Sequence, residues 1–426
     1  MLDLKHVREN LPSVAAQLKR RGFDLDVAAF EGADAERRAA ITESEKLKQA
    51  KNELSRKIGE LKKAGEDAGE LMDRVRLLGE QGAAAEARAA ALDERLFDAL
   101  KRTPNLPHSS VPDGLGPEGN VAVKSWGRVP EFAFTPKPHW ELGEALGILD
   151  WARATKISGA RFTVYRGLGA RIERALVQFM LDLQTQRHGY TEFWTPLLVN
   201  ADTLYGTGQL PKFEEDLFRL RGEPALYLIP TAEVPLTNLH RDETLDEAVL
   251  PLKYTAYTPC FRAEAGSYGK DTKGMVRQHQ FNKVELVKFV LPEESFAEHE
   301  KLTADAEAVL EALELPYRRM LLCAGDMGFG AAKCYYLEVY SAGQEKRWWE
   351  CSSCSNFTDF QARRANIKVK RRDGRKELLH TLNGSGLATS RVLPAILENN
   401  QLADGSIAVP RALQPYLGGL ERITGA

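Results

Sequence analysis

Cysteine is scarce in this chain: Cys260, Cys323, Cys334, Cys351 and Cys354 are the five among 426 residues. An odd, scattered set argues against a disulfide framework and for a reducing compartment, so a cytoplasmic location is expected. Long apolar runs are missing too. No stretch of about 18 apolar residues occurs, and Met1-Leu2-Asp3-Leu4-Lys5 lacks the apolar core of a secretory signal, so no membrane span or export is expected. Nor is there an excess of charge of one sign. Lys and Arg number 58 against 60 Asp and Glu, a formal net charge of -2. That excludes a polycation holding nucleic acid by bulk charge and leaves room only for a local basic patch. Internal repeats and low-complexity tracts are absent, and the length accommodates two or three domains.

Proline is absent from Ala33 to Leu100, where Ala, Glu, Lys, Leu and Arg dominate. That composition is helical. Leu47, Leu54, Ile58 and Leu61 recur at spacings of seven, four and three. Leu71, Val75, Leu78, Ala85, Ala89, Leu92 and Leu96 repeat the pattern beyond the polar stretch Lys62 to Asp67. A turn there folds the two segments into an antiparallel coiled-coil hairpin over about 33–100, within an N-terminal domain of residues 1–102. Arms of roughly 30 residues project about 45 Å. Near the tip, Lys46, Lys48, Lys51, Arg56, Lys57, Lys62 and Lys63 face only Glu53 and Glu60. This is either a solvated face or a basic patch for a polyanion.

Seven prolines and several glycines crowd residues 103–138, which read as a linker. From 139 to 426, strand-like and helix-like segments alternate irregularly with hairpins. An antiparallel or mixed sheet with helices, an α+β fold, is therefore expected.

Within that region Tyr254 to Glu264 and Gln280 to Val290 read as two strands of a hairpin, joined by a charged, glycine-containing loop from Ala265 to Arg277. Period-two alternation puts Arg262 with Glu264 on one face, and Phe281 with Lys283 and Glu285 on one face. A guanidinium, carboxylates and an aromatic ring on one sheet face suit a phosphate, an amine or ribose, and an adenine ring. On Arg262 and Glu264 alone, a surface hairpin with a cross-strand ion pair is the plainer reading.

The hairpin resembles motif 2, about 254–290, of the class II aminoacyl-tRNA synthetases. Two further segments resemble that class's other signatures in the right order. Ile172, Leu176, Phe179 and Leu183 on a helix, running into a strand from Tyr190 to Val199 with Pro196, resemble motif 1 (about 170–199). Gly384-Ser385-Gly386-Leu387-Ala388 leading through Arg391 resembles motif 3 (about 383–400). Within the class, the chain is most similar to the seryl-tRNA synthetases, bacterial type. That likeness is carried by Gly206-Thr207-Gly208-Gln209-Leu210-Pro211-Lys212-Phe213, Thr231-Ala232-Glu233, Gly325-Asp326-Met327-Gly328-Phe329-Gly330, Ser352-Ser353-Cys354-Ser355-Asn356 and His380-Thr381-Leu382-Asn383-Gly384-Ser385-Gly386. It covers essentially the whole chain, and the absence of a basic C-terminal tail also resembles bacterial members.

The resemblance implies a class II antiparallel sheet flanked by helices, with an N-terminal coiled-coil arm that reaches tRNA. It implies activation of L-serine by ATP, release of pyrophosphate and transfer of serine to tRNA(Ser), with tRNA(Sec) as a further acceptor, by a homodimer. Arg262, Glu264 and Arg391 are the implied catalytic residues. Arg262, Ala263, Glu264, Arg277, Phe281, Glu350, Cys351, Ser352, Ser353 and Arg391 match ATP-binding positions. Thr231, Ala232, Glu233, Glu285 and Ser385 match the serine pocket, and Lys46, Lys51, Arg56 and Lys57 are the implied tRNA contacts. Glu350 and Ser353 match the pair that holds Mg²⁺. Thr231-Ala232-Glu233 reads equally well as a helix start.

The chain departs from the family pattern at three places. Cys351 and Cys354 form a CxxC, whose sharper reading is a zinc or redox site. Thr389-Ser390 precede Arg391 where small apolar and glycine residues are expected, and Tyr336 stands where an acid is expected. His188 and His279 have no partner at ligand spacing. Two other readings are a related enzyme charging a carrier protein, disfavoured by the arm, and a catalytically inactive scaffold, disfavoured by the intact charged set.

Overall fold

The computed structural model describes residues 1–265, 273–343 and 347–425. Residues 266–272, the middle of the expected motif 2 loop, lie outside the described residues. The chain divides into two units, one formed by residues 2–19 and 23–103, the other by residues from Pro104 onward with Met1 and residues 20–22.

The first unit is dominated by two long helices, Val27–Ala64 and Gly69–Lys101. The first starts earlier than the composition shift at Ala33 suggests, because Asp26 caps it by accepting the Ala29 N–H at 2.9 Å. It ends at Gly65, whose φ of 76° lets its N–H fold back onto the Leu61 and Lys62 carbonyls. The leucine seam read from the sequence is the contact line. Ala85, Ala89, Leu92 and Leu96 are buried, and Leu47, Leu54, Ile58 and Leu61 are half-buried, as a two-helix seam allows. An Arg88–Glu43 ion pair at 2.8 Å crosses between the helices. At 1.5 Å per residue the longer helix spans roughly 57 Å.

In the second unit, among the described residues, eight strands form one sheet. Across it they run Val121–Trp126, Tyr317–Leu321, Lys333–Ser341, Arg347–Asn356, His380–Ala388, Gln280–Val290, Leu252–Phe261 and Thr191–Glu192. All neighbours are antiparallel except the last pair. The expected linker supplies one edge strand. Val121–Trp126 lies between Pro117 and Pro130 with every N–H intact, and pairs with Tyr317–Leu321. The expected strand Tyr190 to Val199 is two pieces, Thr191–Glu192 and Leu198–Asn200, interrupted around Pro196, which has no N–H to give to a ladder.

Strand Gln280–Val290 shows how the core and the site divide. Val284, Leu286 and Val290 face a core cluster with Leu176, Leu302 and Leu393, drawn from helices Leu168–Asp182, Ser295–Ala312 and Thr389–Asn399. Alternate residues Val287 and Phe289 face a second cluster with Ala232 and Ala362, while Phe281, Lys283 and Glu285 line an open cleft. Truncating Leu286 to Ala at this position would cost about 2–5 kcal/mol.

Candidate active site

The cleft encloses about 400 Å³ and is lined by the charged side chains of Arg262, Glu264, Arg277, Lys283, Glu285, Glu350 and Arg391 together with the Phe281 ring. Strand Leu252–Phe261 stops before Arg262, so Arg262 and Glu264 reach the cleft through a loop and not through the pleat expected from the sequence. The Arg262 N–H still donates to the His279 carbonyl at 3.0 Å. Glu264 then takes the left-handed conformation, φ 52°, which is strained for a side-chain-bearing residue. Its carboxylate accepts from Arg277 at 3.3 Å, and Arg262 lies over the Phe281 ring at 5.1 Å. Cation and aromatic are thus adjacent on the wall that the sequence assigned to a nucleotide.

Deeper in the cleft sits a small buried polar pocket. Thr231, Glu233, Lys283, Glu285 and Ser385 line it, and Glu285 is fully buried. Lys283 Nζ donates to Thr231 Oγ1 at 2.8 Å and pairs with Glu285; Thr231 Oγ1 donates to Glu285 at 3.4 Å, and Asn383 donates to it at 3.2 Å. Gln361 donates to Glu233 at 2.6 Å. Burial, and then the neighbouring Glu285 charge, pushes Glu233 up to about 7, while burial also raises Glu285. Two buried carboxylates, both raised by burial, suit a ligand that brings its own cation and a hydroxyl. Thr231 Oγ1 also accepts the Glu233 N–H at 3.2 Å, so helix start and pocket wall coincide. Ala232 is not brought to the cleft; its side chain packs in the second core cluster.

Glu350 and Ser353 are three apart on strand Arg347–Asn356, a spacing that puts side chains on opposite faces of a regular strand. Both nevertheless line the cleft. The ladder pairs Leu337 with Ser352 and Glu338 with Glu350, leaving Cys351 as an extra residue in a bulge that resets the alternation. Ser352 therefore turns away, donating to the Ser385 carbonyl at 2.7 Å. Cys351 donates to the Leu337 carbonyl at 3.3 Å. Burial pushes Cys354 up to about 12, and Cys351 higher still, so both stay thiols. Among the described residues no group of three or more His, Cys, Asp or Glu could hold a metal ion. The CxxC spans this bulge, and both thiols are engaged in local hydrogen bonds, Cys351 to Leu337 and Cys354 with the Ser352 hydroxyl at 3.4 Å.

Arg391, near the start of helix Thr389–Asn399, donates to the Val276 carbonyl at 2.9 Å and the Glu350 carbonyl at 2.6 Å, and burial lowers its pKa. Thr389, a departure from the expected pattern, has a use. Its hydroxyl donates to Glu173 at 2.5 Å and lies 3.2 Å from the Asn282 carbonyl, and Asn282 itself donates to Glu173 at 2.8 Å. One buried junction ties the three motifs together. Tyr336 pairs across from Ser353, and the Glu350 carboxylate, then burial, holds its phenol protonated. His279 and His188 serve local hydrogen bonds, to the Arg262 carbonyl at 3.0 Å and to Gln184 at 2.8 Å. Ala263 engages through its backbone, donating to the Asp216 carbonyl at 2.9 Å. Lys46, Lys51, Arg56 and Lys57 are exposed on the first arm helix.

Among the residues that the sequence reading did not assign to the site are Lys283, Asn383 and Gln361. Lys283 had a signal, since its alternation between Phe281 and Glu285 aims it into the cleft. Asn383 lies in the segment His380 to Gly386 that carries the family likeness, though no role was given to it there; Gln361 had no signal and arrives from another element.

Three motifs around one antiparallel sheet define the class. Residues 215–400 match the family model "tRNA synthetase class II core domain (G, H, P, S and T)", and residues 1–107 match "Seryl-tRNA synthetase N-terminal domain". The protein is a class II aminoacyl-tRNA ligase. A serine–tRNA ligase of Trichlorobacter lovleyi is 57% identical over the full length of both chains. The solved seryl-tRNA synthetase of Pyrococcus horikoshii complexed with ATP superposes with a TM-score of 0.94, at 38% identity and full coverage of both chains. That of Naegleria fowleri in complex with AMP gives 0.91 at 28% identity, covering 100% of this chain and 99% of that one. The chain belongs to the serine–tRNA ligase family.

Proposed function

We propose that the protein joins L-serine to tRNA(Ser) in two steps at this cleft. In the first, a serine carboxylate oxygen attacks the α-phosphorus of ATP, forming seryl-adenylate as pyrophosphate leaves. In the second, a hydroxyl of the terminal tRNA ribose attacks the seryl carbonyl and AMP leaves. The observation that supports this best is the buried Thr231, Glu233, Lys283 and Glu285 pocket opening onto the Arg262, Arg277 and Arg391 wall.

Glu233 and Glu285 take the serine ammonium and hydroxyl. Bound in place of serine, the amino acid alanine still offers its ammonium but leaves the buried hydroxyl-binding carboxylate without a partner, which is how a small polar side chain is selected. Arg262, beside Phe281 and close enough to both carboxylates to lower their pKa, spans the serine carboxylate and the α-phosphate with its planar fork. Arg277 and Arg391 meet the outer phosphates and the adenine edge, and Phe281 stacks on the base. These groups act by position and charge, since no covalent bond to the protein is needed.

Glu350 and Ser353 fit Mg²⁺. They offer two hard oxygens on one face, and that ion ordinarily takes few protein ligands and completes its shell with phosphates and water. Bound there it would neutralise phosphate charge. The exposed basic face of the arm, with Lys46, Lys51, Arg56 and Lys57, suits tRNA, including tRNA(Sec) where it exists. Trp194, 89% exposed, and Leu198, 39% exposed, sit on the motif 1 segment where a second copy would cover them in a homodimer. No helix among the described residues is long and apolar enough to cross a membrane, and the reading places the enzyme in the cytoplasm.

Pyrophosphate exchange with serine, ATP and Mg²⁺, followed by charging of tRNA(Ser), tests the reading. Exchange that ignores serine would refute it.

A further inference from the structure

His139 and Glu398 form a fully buried pair that lines no part of the cleft yet is joined to its phosphate wall. Glu398 lies two helical turns after Arg391 on helix Thr389–Asn399. Its Oε1 accepts from the His139 backbone N–H at 2.9 Å and faces His139 Nδ1 at 2.7 Å. Its Oε2 accepts from Ser341 and from the Gly343 N–H at 2.9 Å. The other ring nitrogen, Nε2, lies 2.9 Å from the Met275 backbone nitrogen. An N–H donor there makes Nε2 the acceptor, so the proton is on Nδ1 and is given to Glu398.

Met275 is two residues from Arg277, and the Val276 carbonyl between them accepts from Arg391. The segment is therefore held at the Gly274–Met275 peptide by His139 and at the Val276–Arg277 peptide by Arg391. Gly274 completes the fit. Its φ is +76°, and a Cβ on it would meet His139 Nε2 at 2.2 Å.

We propose that His139, oriented by Glu398, is a positioning residue for ATP: it fixes the Met275 N–H and so the place of Arg277 in the cleft. The inference rests on the reading of the cleft as the ATP site. Serine-dependent exchange by the parent enzyme checks that reading separately.

Two isosteres separate the two bonds of the ring. His139→Asn keeps a donor to Glu398 but offers Met275 nothing, whereas His139→Gln restores an acceptor at the Nε2 position and loses the donor. Measured by pyrophosphate exchange on the full-length enzyme, H139N should raise the KM for ATP roughly 10-fold, the effect of leaving one buried N–H unpaired. The KM for serine should stay within about twofold, and H139Q should recover the parent KM for ATP within about twofold. Gly274→Ala, which pushes on the same contact from the other side, should reproduce the H139N pattern and serves if H139N does not fold. Equal ATP values for H139N and H139Q, or KM values for ATP and serine that rise together, would overturn the proposal.

Discussion

Replacing Glu233 with Gln tests the pocket through stability and function at once. Glu233 is buried beside Glu285, and its carboxyl is raised from 4.5 to about 7. The folded chain therefore holds this proton more tightly than the unfolded chain. The sign follows: the group's contribution is fully present below pH 4.5 and is lost as pH rises through about 7. The shift corresponds to roughly 3 kcal/mol of stability surrendered by the ligand-free protein at pH 8. Glu233→Gln removes the titration while keeping the shape and an acceptor for Gln361. Urea unfolding should show the variant more stable than the parent at pH 8, with the parent's fall between pH 5 and pH 8 reduced. Serine-dependent exchange should drop on the order of 100-fold, because the ammonium loses a charged partner. In the parent, serine affinity should weaken as pH falls below about 7, by up to tenfold per pH unit, since the ammonium must compete with the proton. A variant less stable than the parent at pH 8, or an unchanged pH slope, would refute the electrostatic account.

Arg262→Ala should lower the exchange rate by roughly 10- to 1000-fold with the fold intact by circular dichroism, and an unchanged rate would remove Arg262 from the chemistry. Thr389→Ala leaves buried Glu173 short of a donor and should cost about 1–3 kcal/mol in urea unfolding; a neutral result would mean the three-motif junction is dispensable. Reversing Lys51 and Arg56 to Glu should raise the KM for tRNA, most at low salt, without changing exchange, whereas a loss of exchange would give the arm a structural role.

Much of this was legible in the chain. The leucine seam of the arm, the helical runs and the period-two face carrying Phe281, Lys283 and Glu285 are local patterns, and each forms because side chains repeat with the backbone's own period. Where the pattern is broken by a longer-range constraint, the sequence misleads. Arg262 and Glu264 leave the pleat for a loop with a left-handed residue, and Val121–Trp126 becomes a strand inside a proline-rich stretch because a partner edge is waiting for it.

By itself, then, the sequence determined the architecture, the family and the residue types of the site, since these depend on composition and spacing along the chain. Only the tertiary structure decided which of them meet. The bulge at Cys351 aligns Glu350 with Ser353, Thr389 binds Glu173, and burial, then the Glu285 charge, raises Glu233. Contact, burial and charge interaction fall off with distance through space, and residues remote in sequence share that space only after the sheet has closed.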